Sequence, residues 1–82
     1  MKVRLVAYGI AKDILEGSSV DFELNGSPDI ANLKEQITTQ FPAFKDLASL
    51  KFAVNEEYRE DSFAINENDE VVIIPPVSGG WW

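Results

Sequence analysis

Four consecutive apolar residues late in the chain, Val71-Val72-Ile73-Ile74, are followed directly by Pro75-Pro76. A strand that is covered on both faces has such a continuous apolar run, whereas a strand with one solvated face alternates. Proline has no backbone N–H for a strand ladder, so the pair ends the sheet and directs the chain away in an extended conformation. The sequence therefore predicts an interior strand, and after it a segment outside the sheet.

Two segments in the first third of the chain have the two-residue period of β-strands. Residues 2–8 carry apolar side chains on both faces, and residues 20–24 alternate apolar with acidic side chains. Gly9 is expected to end the first strand, and residues 10–15 are predicted to form a helical turn. The second strand is therefore expected to have one polar face.

The main helix is predicted to run to about Gln40, where Pro42 limits it. Ser27 is the predicted N-cap, Pro28 suits the first turn, and Asp29 favours the positive end of the helix dipole. The apolar stripe of the helix follows at helical spacing: Ile30, Leu33, Ile37 and Phe41. One face of this helix is thus expected to cover the sheet.

Residues 50–55 are predicted to form a third strand, and the corner at 55–57 leads into a short fourth strand at 58–59. In residues 43–49, Phe44 and Leu47 are expected to pack a loop or short turn onto the sheet. The order β-β-α-β-β-β indicates an α+β protein with the β-grasp (ubiquitin-like) arrangement, a mixed sheet packed on one main helix. Its first and last strands are expected to pair in parallel at the centre.

The composition excludes several classes of site. The 82 residues suffice for one domain, predicted as a β-grasp domain at 1–76 and a flexible tail at 77–82. Without cysteine or histidine, the chain has no disulfide, no thiolate or imidazole metal site and no catalytic triad. We therefore expect neither a catalytic residue nor a bound metal.

The charge limits the partners. A formal net charge of -7 repels phosphate backbones and anionic lipid surfaces, so neither nucleic acid nor membrane is an expected partner. No apolar run approaches transmembrane length, and no signal-peptide pattern opens the sequence, so a cytoplasmic location is expected. The acidic residues between 56 and 70 are interpreted either as a solvated edge or as a surface that steers a basic partner.

An apolar patch is predicted on the sheet face away from the helix. Val6 and Tyr8 lie on the outer face of the first strand, with Tyr58 and one of the pair Val72 and Ile74. Such a patch marks a docking surface, unless loops cover it or its residues are isolated.

The most specific pattern is the stretch 67–80, which reads Glu-Asn-Asp-Glu-Val-Val-Ile-Ile-Pro-Pro-Val-Ser-Gly-Gly. With it come the opening Lys-Val-Arg-Leu of residues 2–5, the helical segment 10–15 and Phe-Ala-Val-Asn-Glu at 52–56. In these residues the chain resembles, over nearly its whole length, the small sulfur-carrier subunits of molybdopterin synthase and their relatives, the MoaD/ThiS type. A Gly-Gly pair alone would be a weak signal, but an Asp-Glu-Val strand running into Pro-Pro-Val-Ser-Gly-Gly is specific.

The resemblance implies a mechanism. In that family an adenylating, ubiquitin-activating-like enzyme uses ATP to activate the C-terminal glycine carboxylate, and sulfur then replaces the adenylate. The carrier, itself not catalytic, inserts its tail into the large synthase subunit and donates its sulfur to precursor Z. Carried over to this chain, the reactive carbon is that of Gly80. Gly79 and Ser78 give access to it, and the residues implied as partner contacts are Val6, Tyr58, Ile74, Pro75, Pro76 and Val77.

Trp81-Trp82 depart from the family pattern, because they hold the Gly80 carboxyl in an amide. A peptidase of the JAMM type could trim them, they could be an artificial tail, or the chain could have lost activation and use them as an apolar anchor. They could also fold back on their own sheet. Two further interpretations stay open: a related carrier that serves thiamin, cysteine, another metabolite or protein conjugation, and an interaction module that is never adenylated.

Overall fold

The computed structural model describes residues 1–46 and 50–75. In chain order its elements are β1 (Lys2–Ala7), α1 (Gly9–Leu15), β2 (Ser19–Glu23), α2 (Ile30–Gln40), a 3-10 helix (Pro42–Asp46), β3 (Lys51–Val54), β4 (Glu57–Arg59) and β5 (Glu70–Ile74). The strands of these ranges form one sheet in the order β2-β1-β5-β3-β4.

The apolar run before the prolines forms the central strand of this sheet. β5 pairs in parallel with β1 and antiparallel with β3. The predicted interior position of this strand is therefore confirmed, as are its parallel pairing with the first strand and the β-grasp fold class.

The core lies between the sheet and α2. Alternation along the strands directs one set of side chains towards the helix, and these side chains are buried. From the three inner strands the set comprises Val3, Leu5, Ala7, Phe52, Val54, Val71 and Ile73. Ile30, Leu33 and Ile37 of α2 pack against them, which confirms the predicted stripe, while Phe41 lies at the C-cap and is half-buried.

The start of α2 differs from the prediction, because Asp29 and not Ser27 is the N-cap. The Asp29 carboxylate accepts a hydrogen bond from the Asn32 backbone N–H at 2.8 Å. The backbone N–H groups of Ile30 and Ala31 donate to the carbonyls of Phe63 and Asp61, at 3.2 and 3.0 Å. The loop before β5 therefore satisfies the helix N-terminus together with the Asp29 side chain.

The end of β1 differs from the prediction by one residue, and two predicted turns take a defined form. β1 ends at Ala7, one residue before its predicted end, because Tyr8 is the N-cap residue of α1. The helical turn predicted at 10–15 is part of the helix Gly9–Leu15. Residues 43–49, predicted to form a loop or short turn, overlap a 3-10 helix at Pro42–Asp46 in which Phe44 is buried. Leu47 lies outside the described residues. The predicted corner is a two-residue β3–β4 hairpin turn, in which Asn55 and Glu56 both have positive φ, 52° and 71°.

Candidate docking face and tail exit

The chain leaves the sheet at the C-terminal end of its central strand, β5. β5 ends at Ile74, and half-buried Pro75 follows it. β1 runs parallel to β5, so its last residue, Ala7, and Tyr8 after it lie at the same end of the sheet as Ile74. β3 runs antiparallel, so Lys51 at its start lies opposite Ile74. Pro75, the last described residue, thus follows a strand that lies between β1 and β3.

The sequence-predicted reactive segment lies beyond this exit. Pro76, Val77, Ser78, Gly79 and Gly80 are outside the described residues, as are Trp81 and Trp82. The described part therefore fixes where the tail starts, and the roles assigned to its residues stay predictions.

Apolar side chains cross the sheet on the face away from α2. Val6 is paired with Val72, Val72 with Ala53, and Ala53 with Tyr58. Neighbours in register on one face of a sheet have their Cβ atoms about 5 Å apart, so the four form a continuous row. Ala53 is 7% exposed and Tyr58 is 70% exposed, while the two valines are half-buried.

Two more side chains extend this row towards the tail exit. Ile74 lies two residues beyond Val72 on the same strand and is half-buried. Tyr8 has extended backbone, with φ −131° and ψ 159°, so the alternation of β1 continues to it, and it is 63% exposed. We call these six residues the outer apolar face: Val6, Tyr8, Ala53, Tyr58, Val72 and Ile74.

The opposite end of the same sheet face is charged. The guanidinium of Arg4 donates to the Asp21 carboxylate at 2.9 Å, and Glu70 lies opposite Arg4 in register. Lys2, Glu67 and Asp69 line the same shallow depression. The end beside the tail exit carries the apolar residues, and Lys51 lines a depression there with Tyr58, Arg59 and Glu60.

One carboxyl in the described ranges has a distinctly shifted pKa, and it lies far from the exit. The N-terminal ammonium donates a hydrogen bond of 2.7 Å to Glu23, and this bond and the ammonium charge lower the pKa of that exposed carboxyl. Within residues 1–46 and 50–75, no three His, Cys, Asp or Glu side chains come together as a metal-binding group. In the same ranges α1 and α2 fall short of the length and apolarity that a membrane span requires.

Most of the predicted contact residues are brought together. Val6, Tyr58 and Ile74 share the outer apolar face, and Pro75 adjoins Ile74. One prediction is corrected: Val72 and Ile74 both lie on this face, because residues two apart on a strand point the same way. Sequence reasoning missed Ala53, although its position between inward-facing Phe52 and Val54 indicates the outer face.

The mixed sheet packed on one main helix defines a β-grasp protein. Its central strand ends beside the outer apolar face. The ThiS family profile matches residues 8–80, and the chain belongs to this family. The match extends to Gly80 and leaves Trp81 and Trp82 outside it. The family predicted from the 67–80 pattern is thereby confirmed.

Among its relatives, the chain is similar to the molybdopterin synthase sulfur carrier subunit of Chlamydomonas reinhardtii. The two are 31% identical over 83 residues, which cover 98% of this chain and 100% of the relative. Its fold is similar to that of the putative molybdopterin converting factor subunit 1 from Pyrococcus furiosus, with a TM-score of 0.82, 22% identity and coverage of 94% and 99%.

A third likeness is to a chain in the complex of subunits 1 and 2 of the molybdopterin-converting factor from Helicobacter pylori. The TM-score is 0.66 at 20% identity, and the match covers 98% of this chain and 100% of that chain. At these identities the two structural likenesses concern the fold alone.

Proposed function

We propose that this chain is a sulfur carrier whose Gly80 carboxyl becomes a thiocarboxylate and donates its sulfur to precursor Z in molybdopterin formation. The observation that carries the proposal is the ThiS family match, which extends through Gly80. The end of the central strand at Ile74 supports it, because the residues that follow start at the edge of the sheet, beside the outer apolar face.

The chemistry needs two steps on one carbon. A Gly80 carboxylate oxygen attacks the α-phosphorus of ATP, giving an acyl adenylate and releasing pyrophosphate. Sulfide then attacks the carbonyl carbon, AMP leaves as its bond to that carbon breaks, the sulfur loses its proton, and a thiocarboxylate remains. Both steps belong to an adenylating enzyme, since the chain has neither histidine nor cysteine to serve as base or nucleophile.

The sequence of the tail suits this chemistry. Pro75-Pro76 follow the central strand, and proline favours an extended conformation that carries the chain away from the sheet. Gly79 and Gly80 add no side chains, so an enzyme could surround the reacting carbon closely. The domain then serves as a handle for partner enzymes.

The outer apolar face supplies the docking surface for that handle. It adjoins the exit at Ile74, and Tyr58 stands 70% exposed on it. Aromatic side chains are the usual anchors of protein interfaces. The large synthase subunit is the proposed partner, as the Helicobacter pylori complex of subunits 1 and 2 suggests, and the adenylating enzyme is the second.

Activation requires the loss of Trp81-Trp82. While the Gly80 carboxyl is an amide it has no carboxylate oxygen to attack ATP, so we propose that a peptidase, for which the JAMM type is the candidate, cleaves after Gly80. The family match that ends at Gly80 supports this boundary.

Mass spectrometry tests the chemistry. Chains of residues 1–82, 1–80 and 1–79 are incubated with ATP, sulfide and the adenylating enzyme encoded in the same genome. The 1–80 chain should gain the mass difference between one sulfur and one oxygen atom, and the other two should not. The 1–79 chain is the matched control, because it has a free carboxylate one residue short. An unmodified 1–80 chain would overturn the carrier role.

A second assay tests the destination of the sulfur. Thiocarboxylated 1–80 chain is mixed with precursor Z and the large synthase subunit encoded in the same genome. Molybdopterin should form, and the chain should return to its carboxylate mass. A stable thiocarboxylate in this mixture would contradict precursor Z as the acceptor while leaving the carrier chemistry intact.

A further inference from the structure

The loop between β2 and α2 contains the pair Asn25-Gly26, to which the proposed function gives no role. Both residues are exposed. Among residues 1–46 and 50–75, the Asn25 carboxamide and the Gly26 backbone N–H have no hydrogen-bond partner. Gly26 also has no side chain that would cover its nitrogen. An electrophilic carbonyl carbon and a nucleophilic nitrogen in adjacent residues are therefore both accessible for reaction.

We propose that Asn25-Gly26 is a site of spontaneous covalent modification, at which Asn25 becomes isoaspartate and two amide side chains of α2 promote the reaction. The Gly26 nitrogen gives its proton to water and attacks Cγ of Asn25. The bond from Cγ to the carboxamide nitrogen breaks, and that nitrogen takes up a proton and leaves as ammonia. A five-membered succinimide remains.

Hydrolysis of this ring completes the modification. Water attacks the backbone carbonyl carbon of Asn25, the bond from that carbon to the Gly26 nitrogen breaks, and the nitrogen regains a proton. The chain then runs through Cγ, and the former backbone carbonyl is a free carboxylate. The whole sequence consumes water and releases ammonia, so it needs no oxidant, reductant or second protein.

The other asparagines of the chain lack this combination. They are Asn32, Asn55, Asn66 and Asn68. Each is followed by a residue with a large side chain, which crowds the attacking nitrogen. The Asn55 carboxamide also donates to the Asp69 carboxylate at 3.1 Å. Modification is therefore expected at Asn25 alone.

Two amide groups of α2 hold the backbone carbonyl of Asn25. Its oxygen accepts hydrogen bonds from Nδ2 of Asn32, at 2.7 Å, and from Nε2 of Gln36. Loss of the Gly26 proton places negative charge partly on this oxygen through amide resonance, and donors to a charged form favour that form. Charge develops on the same oxygen when water attacks the ring. The donors of α2 thus promote both steps.

The modification changes how the loop is attached to α2. Isoaspartate adds a methylene to the backbone before Gly26, which displaces Ser27, whose carbonyl accepts from Nδ2 of Asn32 at 2.8 Å. We expect this bond to be lost. The modified chain should therefore unfold at a lower urea concentration than Asn25→Asp, which has the same charge and an unchanged backbone. Equal midpoints would contradict this consequence.

Peptide mapping by mass spectrometry tests the site. The 1–82 chain is incubated until a peptide of residues 22–29 is fully converted. The fragment with Asn25 should gain the mass difference between a hydroxyl and an amino group, and the fragments with Asn55, Asn66 and Asn68 should not. Electron-transfer fragmentation should identify isoaspartate. An unchanged Asn25 at this point, or aspartate as the only product, would overturn the proposal.

A substitution in α2 tests the promotion. Gln36→Glu keeps an oxygen to accept from the Asn25 N–H, at 3.2 Å, but replaces the donor to the Asn25 carbonyl. The rate should fall roughly tenfold, the effect of one hydrogen bond to a charged group. Gln40→Glu makes the same change one turn further along α2, where the side chain is exposed, and should leave the rate unchanged. An equal or faster rate in Gln36→Glu would overturn promotion by α2.

Discussion

At the scale of single residues, the start of α2 depends on Asp29. Replacing it with alanine removes the acceptor of the Asn32 N–H bond, and loss of such a cap costs about 1 kcal/mol. Urea unfolding of Asp29→Ala should show that loss. Ser27→Ala is the matched control, because the backbone carbonyl of Ser27 rather than its hydroxyl accepts from Asn32. An equal loss in both variants would contradict Asp29 as the cap.

The lowered pKa of Glu23 predicts a dependence of stability on acid. Because the folded pKa lies below 4.5, the carboxylate stabilises the fold fully above that pH and loses its contribution as pH falls through the folded pKa. The stability difference between the natural chain and Glu23→Gln should therefore shrink on acidification. Carboxyl NMR titration gives the pKa directly, and a value at or above 4.5 would contradict the ion pair with Met1.

At the scale of elements, the β3–β4 turn contains a correctable strain. Glu56 has φ 71°, a conformation that costs a side-chain-bearing residue about 1 kcal/mol. Since Asn-Gly is the preferred pair in such turns, Glu56→Gly should raise the free energy of unfolding by about 0.5 kcal/mol. The denaturation midpoint measures it. Glu67→Gly, in a turn without positive φ, should not stabilise, and a gain there would refute the local explanation.

The elements differ in how far the sequence predicted them. The continuous run before Pro75 identified β5 because full burial removes alternation, and the spacing of Ile30, Leu33 and Ile37 identified α2. The cap of α2 was not predictable, since Ser27 and Asp29 are both capping residue types. The choice depends on the carbonyls that the loop before β5 brings to the helix.

At the scale of the whole molecule, the exit and the outer apolar face arise from the way the strands pair. Parallel pairing of β5 with β1 places Ile74 beside Tyr8, and the antiparallel β3–β4 hairpin brings Tyr58 into the same surface. The sequence predicted the patch from alternation but missed Ala53, although its place between inward-facing Phe52 and Val54 assigns it to the same face. The proposed conversion of Gly80 to a thiocarboxylate rests on the family resemblance, because Gly80 lies beyond Pro75, the last described residue.

The exposed tyrosine distinguishes a docking surface from an incidental patch. At 70% exposure Tyr58 adds little to the core, so Tyr58→Ala should leave thermal unfolding nearly unchanged. If the face docks the large synthase subunit, truncation of an aromatic anchor should weaken binding of the 1–80 chain by about 1–2 kcal/mol, roughly tenfold in Kd. Isothermal titration calorimetry measures this, with Lys2→Ala at the charged end as the control. Equal affinities for the Tyr58→Ala variant and the control would place the interface elsewhere, since a face that excludes water around an anchor cannot lose that anchor without loss of affinity.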